Sequence, residues 1–282
     1  MSAEQPILEV TDLVVEHGTG RRRKRAVDGV SFEIPTGTTL GLVGESGSGK
    51  TTTGMAILGM LPMSGGRVLF EGRDITRMPR RERCALGSQR QVIFQDPYSS
   101  LDPSKTIGYT LAEPCRVAPR EHRMTTAAIA DRSAMLLQRV GLSPDAARRY
   151  PAQFSGGQRQ RIAIARSLML SPRLIVCDEP VSALDLSVQA EVLNLLSELQ
   201  QDLGLSLLFI SHDLSVVRHI SHAIVVLQGG RIVEKGSADQ VYERPRERYT
   251  QTLLAAAPVP DPAEQRARRE ERQRRRIEER QQ

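Results

Sequence analysis

Between Gly44 and Thr51 the chain reads GESGSGKT, a run in which Gly, four residues, Gly and Lys precede Thr. That spacing suits the binding of phosphate. Glycines let backbone amides turn inward without a Cβ in the way, and a helix starting just after them points its positive N-terminus at the same anion. The candidate contacts are Gly44, Glu45, Ser46, Gly47, Ser48, Gly49, Lys50, Thr51 and Thr52. Lys50 would reach the terminal phosphates of a nucleotide, and the Thr51 hydroxyl would serve Mg²⁺.

Two further runs carry chemistry. LIVCDEP, residues 174–180, is an apolar, β-branched strand that delivers Asp178 and Glu179 at its carboxyl end, where open α/β sheets bind ligands. Asp178 suits Mg²⁺, held through water, and Glu179 suits a general base that polarises an attacking water. FSGGQRQRIAIARSL, residues 154–168, sets Ser155, Gly156, Gly157 and Gln158 before an amphipathic helix, which makes a second candidate anion site more than a hundred residues from the first. Together the three runs point to a nucleoside triphosphatase.

Several elements must hold these residues. The start, ILEVTDLVVEH, alternates, breaks at Gly18 and a basic run, and resumes as AVDGVSFEI, which predicts two strands around a polar loop. TLGLVG is a short buried strand ahead of the glycine-rich turn, and GRVLFEGRDIT reads as a strand pair turning at Glu71 and Gly72. Helical patterning runs from about Ile107 to Val140 and closes at Gly141. RLIVCD, SLLFIS and AIVVLQ are strands alternating with helices, and Gly229 and Gly230 suit a hairpin into RIVEKG. That alternation implies an α/β protein with a mostly parallel sheet covered on both faces.

At 282 residues the chain is long enough for a sizeable core, and 39% hydrophobic with 26% charged residues excludes a wholly disordered chain. No run approaches the roughly 18 to 20 apolar residues of a membrane-spanning helix, and MSAEQPILEV lacks the features of a signal peptide, so a cytosolic protein is expected. Cys84, Cys115 and Cys177 share no CxxC spacing and read as reduced, partly buried thiols. The net charge of +6 is concentrated in Arg21 to Arg25, worth +5, and in residues 266–282, worth +4, which leaves the remainder at −3. The basic run is expected in a solvated loop between strands, and Pro258, Pro260 and Pro262 mark the start of the charged tail.

On these motifs the sequence resembles the ATP-binding subunits of ABC transporters as far as about residue 262. GESGSGKT looks like Walker A, FSGGQ like the signature motif and LIVCDEP like Walker B. Gln95 in VIFQDP is similar to the Q-loop glutamine, which in the family touches Mg²⁺ and the nucleophilic water. Asp185 in SALD looks like the D-loop, and His212 in ISHDL resembles the switch histidine. Phe154 where the family has Leu, together with RPRERYTQTLLAAAPVPDP near the end, resembles the oligopeptide, dipeptide and nickel importer branch. Some members carry a C-terminal iron–sulfur site, but no Cys follows Cys177, so none is expected.

The resemblance implies a P-loop NTPase (RecA-like) core with a parallel sheet, an N-terminal antiparallel β subdomain and a helical signature subdomain. The implied domains are 1–257, with the helical part at about 96–165, and a charged tail at 258–282. It implies ATP and Mg²⁺ (the metal at Thr51, Gln95 and Asp178), catalytic roles for Glu179, His212, Gln95 and Asp185, and an active rather than degenerate site. The partners implied are two transmembrane permease subunits, a second ATP-binding subunit (identical or related) in a head-to-tail dimer, and indirectly an extracytoplasmic solute-binding protein. The implied location is peripheral, on the cytoplasmic face of the cell membrane.

His17 aligns with the family's adenine-stacking aromatic, although an exposed loop histidine fits the same residue. His122, His219 and His222 match no motif and read as surface or packing residues. Import of oligopeptides or dipeptides is the leading reading, with nickel, an opine, a sugar or a drug as other cargoes. A nucleic-acid-associated ABC ATPase is disfavoured, because the chain has one phosphate loop, no long coiled coil and an acidic body. No nucleic-acid partner is expected.

Overall fold

The computed structural model describes residues 5–18, 23–96, 101–119 and 123–256. Arg21, Arg22, His122 and the charged tail lie outside the described residues. In chain order the elements are β1 (Leu8–His17), β2 (Lys24–Ile34), β3 (Thr39–Val43), α1 (Lys50–Ile57), β4 (Gly65–Phe70), β5 (Arg73–Asp74), α2 (Arg80–Leu86) and β6 (Arg90–Ile93). There follow α3 (Ile107–Val117), α4 (Thr126–Arg139), 3₁₀ turns at Pro144–Arg148 and Pro151–Gln153, and α5 (Gly156–Leu168). The chain continues with β7 (Leu174–Asp178), α6 (Leu186–Leu203), β8 (Ser206–Ser211), α7 (Leu214–Ile220), β9 (Ala223–Gln228), β10 (Arg231–Ser237), α8 (Ala238–Glu243) and α9 (Arg248–Ala256).

Two sheets result. A six-stranded sheet runs β10-β9-β3-β8-β7-β6, parallel throughout except for the β9–β10 hairpin. A four-stranded antiparallel sheet runs β2-β1-β4-β5. Every residue of β3, β7 and β8 is buried, which is why these strands read as apolar runs without alternation. One core lies between the two sheets, where Leu8, Val10, Val27, Val30 and Ile34 meet Leu42, Leu208 and Ile210. The other lies on the far face of the parallel sheet, where Ile175, Cys177, Leu207 and Phe209 meet Ile162, Ala165, Val192 and Leu196.

The α/β class, the strand pairs and the Gly229–Gly230 hairpin follow the sequence reading. Three details differ. The helical run from Ile107 to Val140 is two helices, because Ala118 precedes Pro119 and takes the extended conformation (φ −59°, ψ 148°) that a following proline enforces. The second helix restarts under a Thr125 cap, whose hydroxyl accepts from Ala128 N at 3.2 Å. Lys24 and Arg25 are not in a loop but in β2, paired across the ladder with His17 and Glu16. Arg25 reaches Asp28 at 2.7 Å, and Arg231 reaches the same carboxylate at 2.6 Å. Those arginines, Arg231 first, hold the Asp28 carboxyl below the usual range. The helices α2, α8 and α9 were not foreseen.

Candidate active site

The strand order brings the motifs together. β3, β8, β7 and β6 are neighbours, and the chain leaving each carboxyl end supplies one piece: the 44–49 loop, His212, Asp178 with Glu179, and Gln95. Four segments scattered over 169 positions thus meet at one edge of the sheet, where open α/β sheets bind ligands.

The phosphate loop depends on glycine at two positions. Gly47 and Gly49 have φ of 79° and 105°, and Gly49 is the left-handed N-cap of α1. Lys50 is only 4% exposed, and its ammonium donates to the carbonyls of Gly44 at 2.7 Å and Glu45 at 2.8 Å. Burial pushes the Lys50 pKa down, against the upward pull of Glu179, Asp178 and Glu45. Ser48 Oγ is buried with no hydrogen-bond partner, an orphaned polar atom inside the loop that an anion's oxygen could satisfy.

The Thr51 hydroxyl donates to Asp178 Oδ1 at 2.9 Å across 127 residues. Burial pushes the Asp178 carboxyl above its ordinary value; the Thr51 bond and Lys50 oppose this, and Glu179 adds to it. A hydroxyl, a carboxylate and the nearby Gln95 amide form a sparse, all-oxygen donor set. Mg²⁺ accepts such a set because it keeps its own waters and takes further oxygens from substrate phosphates.

Glu179 stands at φ 47°, which is uncommon for a residue with a side chain, and its N–H donates to Ile210 O at 3.0 Å on the neighbouring strand. One carboxylate oxygen, Oε2, receives two contacts: Gln95 Nε2 at 3.3 Å and His212 Nδ1 at 3.2 Å. Two residues from separate motifs therefore converge on a single atom of a third.

The motif residues border an open cleft of about 830 Å³, whose lining includes His17, Glu45, Ser46, Gly47, Gly49, Lys50, Thr51, Thr52, Gln95, Glu179 and His212. His17 Nε2 lies 3.3 Å from Thr52 Oγ1, so the ring is tied to the start of α1 at the mouth of the cleft. Ser155, Gly156, Gly157, Gln158 and Asp185 do not line it. Ser155 and Gln158 form a capping box on α5, with Ser155 Oγ accepting from Gln158 N at 3.3 Å and Gln158 Oε1 accepting from Ser155 N at 3.1 Å. The Asp185 carboxylate caps α6, accepting from Val188 N at 3.0 Å. Both stand exposed on the surface.

The unassigned histidines have structural partners: His222 Nδ1 accepts from Thr39 N at 3.1 Å, and His219 Nε2 lies 2.9 Å from Asn194 Oδ1. Cys115 and Cys177 are free and buried. Sequence reasoning missed residues at the site from β2 and α9. Lys24, Arg25, Ala26 and Leu253 also line the cleft, and Tyr249 Oη accepts from Glu45 N at 3.0 Å. The Tyr-Thr pair of the C-terminal motif was the available signal, but nothing local says what it touches.

Residues 27–182 match the ABC transporter family, and residues 233–282 match the oligopeptide/dipeptide transporter C-terminal region. The glutathione import ATP-binding protein GsiA of Escherichia coli K12 is 48% identical over 272 residues, 94% of this chain and 43% of that relative, so this chain spans less than half the relative's length. The oligopeptide transport ATP-binding protein OppF of Salmonella typhimurium LT2 is 46% identical over 265 residues, 91% of this chain and 79% of OppF. Among solved structures, the ATP-binding cassette MJ0796, a dimer in a post-hydrolysis state bound to ADP and Pi, superposes with a TM-score of 0.73. It is 25% identical and covers 82% of this chain and 98% of that one. The protein cbiO1 of Clostridium perfringens, part of the ABC transporter complex cbiONQ, gives 0.74 at 26% identity, covering 86% of this chain and 92% of that one. With the cleft built from the same motifs, the chain belongs to the ABC transporter family of ATP-binding proteins.

Proposed function

We propose that this chain is the ATP-binding subunit of an importer of oligopeptides or dipeptides, hydrolysing ATP to energise transport through two separate transmembrane permease subunits. The observation that carries the reading is the convergence of Gln95 and His212 on Glu179 Oε2, beside the Lys50 and Thr51 loop. The cargo class follows the match to the oligopeptide/dipeptide C-terminal region and the likeness to OppF and GsiA. Residues 1–257 are the nucleotide-binding domain, with a helical part at about 96–165, and 258–282 form a tail.

In this mechanism Lys50 turns from its two carbonyls to the terminal phosphates, and its attraction for them is strengthened by the low dielectric of the buried site. Thr51, with Asp178 and Gln95 beside it, would hold Mg²⁺, which supplies positive charge against the phosphate oxygens. Glu179 accepts a proton from the attacking water. Gln95 and His212 fix the orientation of that carboxylate, so its lone pair is already aimed before substrate arrives. His212 also stabilises charge at the γ-phosphate. His17 stacks on the adenine.

A second ATP-binding subunit, arranged head to tail, completes the site. Support for this comes from the position of Ser155, Gln158 and Asp185, exposed and outside the cleft of their own chain, and from the dimeric state of MJ0796. Those α5 amides then close over the partner's nucleotide. The assembly sits at the cytoplasmic face of the membrane and receives solute from an extracytoplasmic binding protein through the permease.

The test is ATP turnover by the chain assembled with its permease subunits, and peptide uptake by that assembly. Glu179→Gln lowers the turnover at least about a hundredfold while leaving ATP binding intact, the scale expected for loss of a general base. Unchanged turnover would remove Glu179 from its role, and solute uptake indifferent to peptides would overturn the cargo.

A further inference from the structure

We infer that Tyr249 is a positioning residue of the nucleotide site, through which helix α9 of the C-terminal region holds the phosphate loop in its binding shape. The inference rests on the reading of Lys50 as the phosphate-binding lysine. The peptide group joining Gly44 to Glu45 is held at both ends: its carbonyl accepts from Lys50 Nζ at 2.7 Å, and its N–H donates to Tyr249 Oη at 3.0 Å. A single peptide plane cannot rotate without breaking both bonds. When Lys50 turns to a phosphate oxygen, the carbonyl loses its partner and the tyrosine hydroxyl becomes the remaining clamp on that plane.

The helix that carries this hydroxyl is anchored independently. Just before α9, the N–H groups of Arg246 and Glu247 donate to the two carboxylate oxygens of Glu234, at 2.8 and 3.2 Å, and Glu234 itself is buried on β10. Thr250 is fully buried, and Leu253, one turn beyond Tyr249 on the same face, lines the cleft. Tyr249, Leu253 and Leu254 pack on the large core. The C-terminal region thus contributes one wall and one hydrogen bond to a site whose other named parts lie more than 30 residues away in sequence. Its bond spans 204 residues.

The experiment uses the full chain and equilibrium titration with ATP and Mg²⁺. Tyr249→Phe keeps the ring and removes the hydroxyl, so ATP binds about two- to tenfold more weakly, the range of one neutral hydrogen bond. Binding stoichiometry stays the same, which separates a mispositioned loop from a misfolded fraction. Hydrogen exchange at the Glu45 amide accelerates in the same variant. In a Glu45→Pro chain, which has no N–H at that position, adding Tyr249→Phe changes the affinity no further. Unaltered affinity and unaltered exchange in Tyr249→Phe overturn the inference, as does a fall in stoichiometry at constant affinity. Lys50→Ala reports on the reading beneath it: ATP binding retained at the parent affinity would overturn the nucleotide site itself, whatever Tyr249 does.

Discussion

Replacing Gly49 by Ala tests whether the phosphate loop is pinned by its neighbours or only by its own flexibility. Gly49 sits at φ 105°, and a Cβ there would lie 2.4 Å from the carbonyl oxygen of Ala26 on β2. That oxygen is backbone and cannot swing aside. The Gly229–Gly230 hairpin backs it, with Asp28 N bonded to Gly230 O at 2.8 Å and Gly230 N to Ser48 O at 2.9 Å. The variant therefore bears two costs: about 1–2 kcal/mol for a side chain at this φ and about 1–3 kcal/mol for the forced contact. Gly47 separates them, because its φ of 79° is equally strained for an L-residue but a Cβ there meets nothing within 4 Å. Urea unfolding of the nucleotide-free chain should place Gly47→Ala about 1–2 kcal/mol below the parent and Gly49→Ala a further 1–3 kcal/mol below that, with equal m-values. At about 2–4 °C per kcal/mol, the second variant loses roughly 4–20 °C of thermal midpoint. If the two variants unfold within about 0.5 kcal/mol of each other, the packing of the loop against β2 contributes nothing and the argument fails.

Gly157→Ala sets a Cβ 2.3 Å from Val188 Cγ1, so it should cost about 1–3 kcal/mol in denaturant unfolding, and adding Val188→Ala should recover part of the loss; failure of that rescue would refute the contact. Asp178 has its carboxyl raised by burial, so its contribution to stability is full below the unfolded pKa and is lost as pH rises through the folded one. The ionised group therefore opposes folding of the nucleotide-free chain at pH 7. Asp178→Asn raises the urea midpoint there, with a gain that shrinks toward about pH 4, while abolishing stabilisation by Mg²⁺ with ATP; a lowered midpoint at pH 7 refutes the sign. Burial also pushes the Cys115 and Cys177 thiols up, the latter further because it is wholly buried, with the neighbouring Asp178 adding to the effect. Iodoacetamide should label both only after unfolding, as read by peptide mass mapping, and rapid labelling of native Cys177 would contradict its position in β7.

What the sequence made legible was chemistry written locally. TLGLVGESGSGKT and LIVCDEP each join a buried strand to its terminal functional groups in one contiguous run, so composition and order suffice to read both the element and its use. The same locality explains the misreadings. Pro119 was enough to end α3, yet helical periodicity on either side outweighed it. Five adjacent basic residues suggest a solvated loop, yet Lys24 and Arg25 pair with His17 and Glu16 of β1 and extend β2, and the Arg25 charge is met by Glu16 and Asp28.

The convergence on Glu179 shows where one-dimensional reading ends. Residues 95, 179 and 212 each announce a motif, but their meeting at one oxygen is produced by the order β3-β8-β7-β6, in which strands far apart in sequence become neighbours. The hydrogen bond from Glu45 to Tyr249 is less legible still, because an exposed peptide N–H carries no sequence signature and a tyrosine near the end of a chain has many ordinary uses. Removing the hydroxyl of Tyr249 leaves the phosphate loop and the motifs around Gln95, Glu179 and His212 untouched. If nucleotide affinity nevertheless falls, the site must be defined by the peptide planes that the fold immobilises as well as by the side chains that the motifs name.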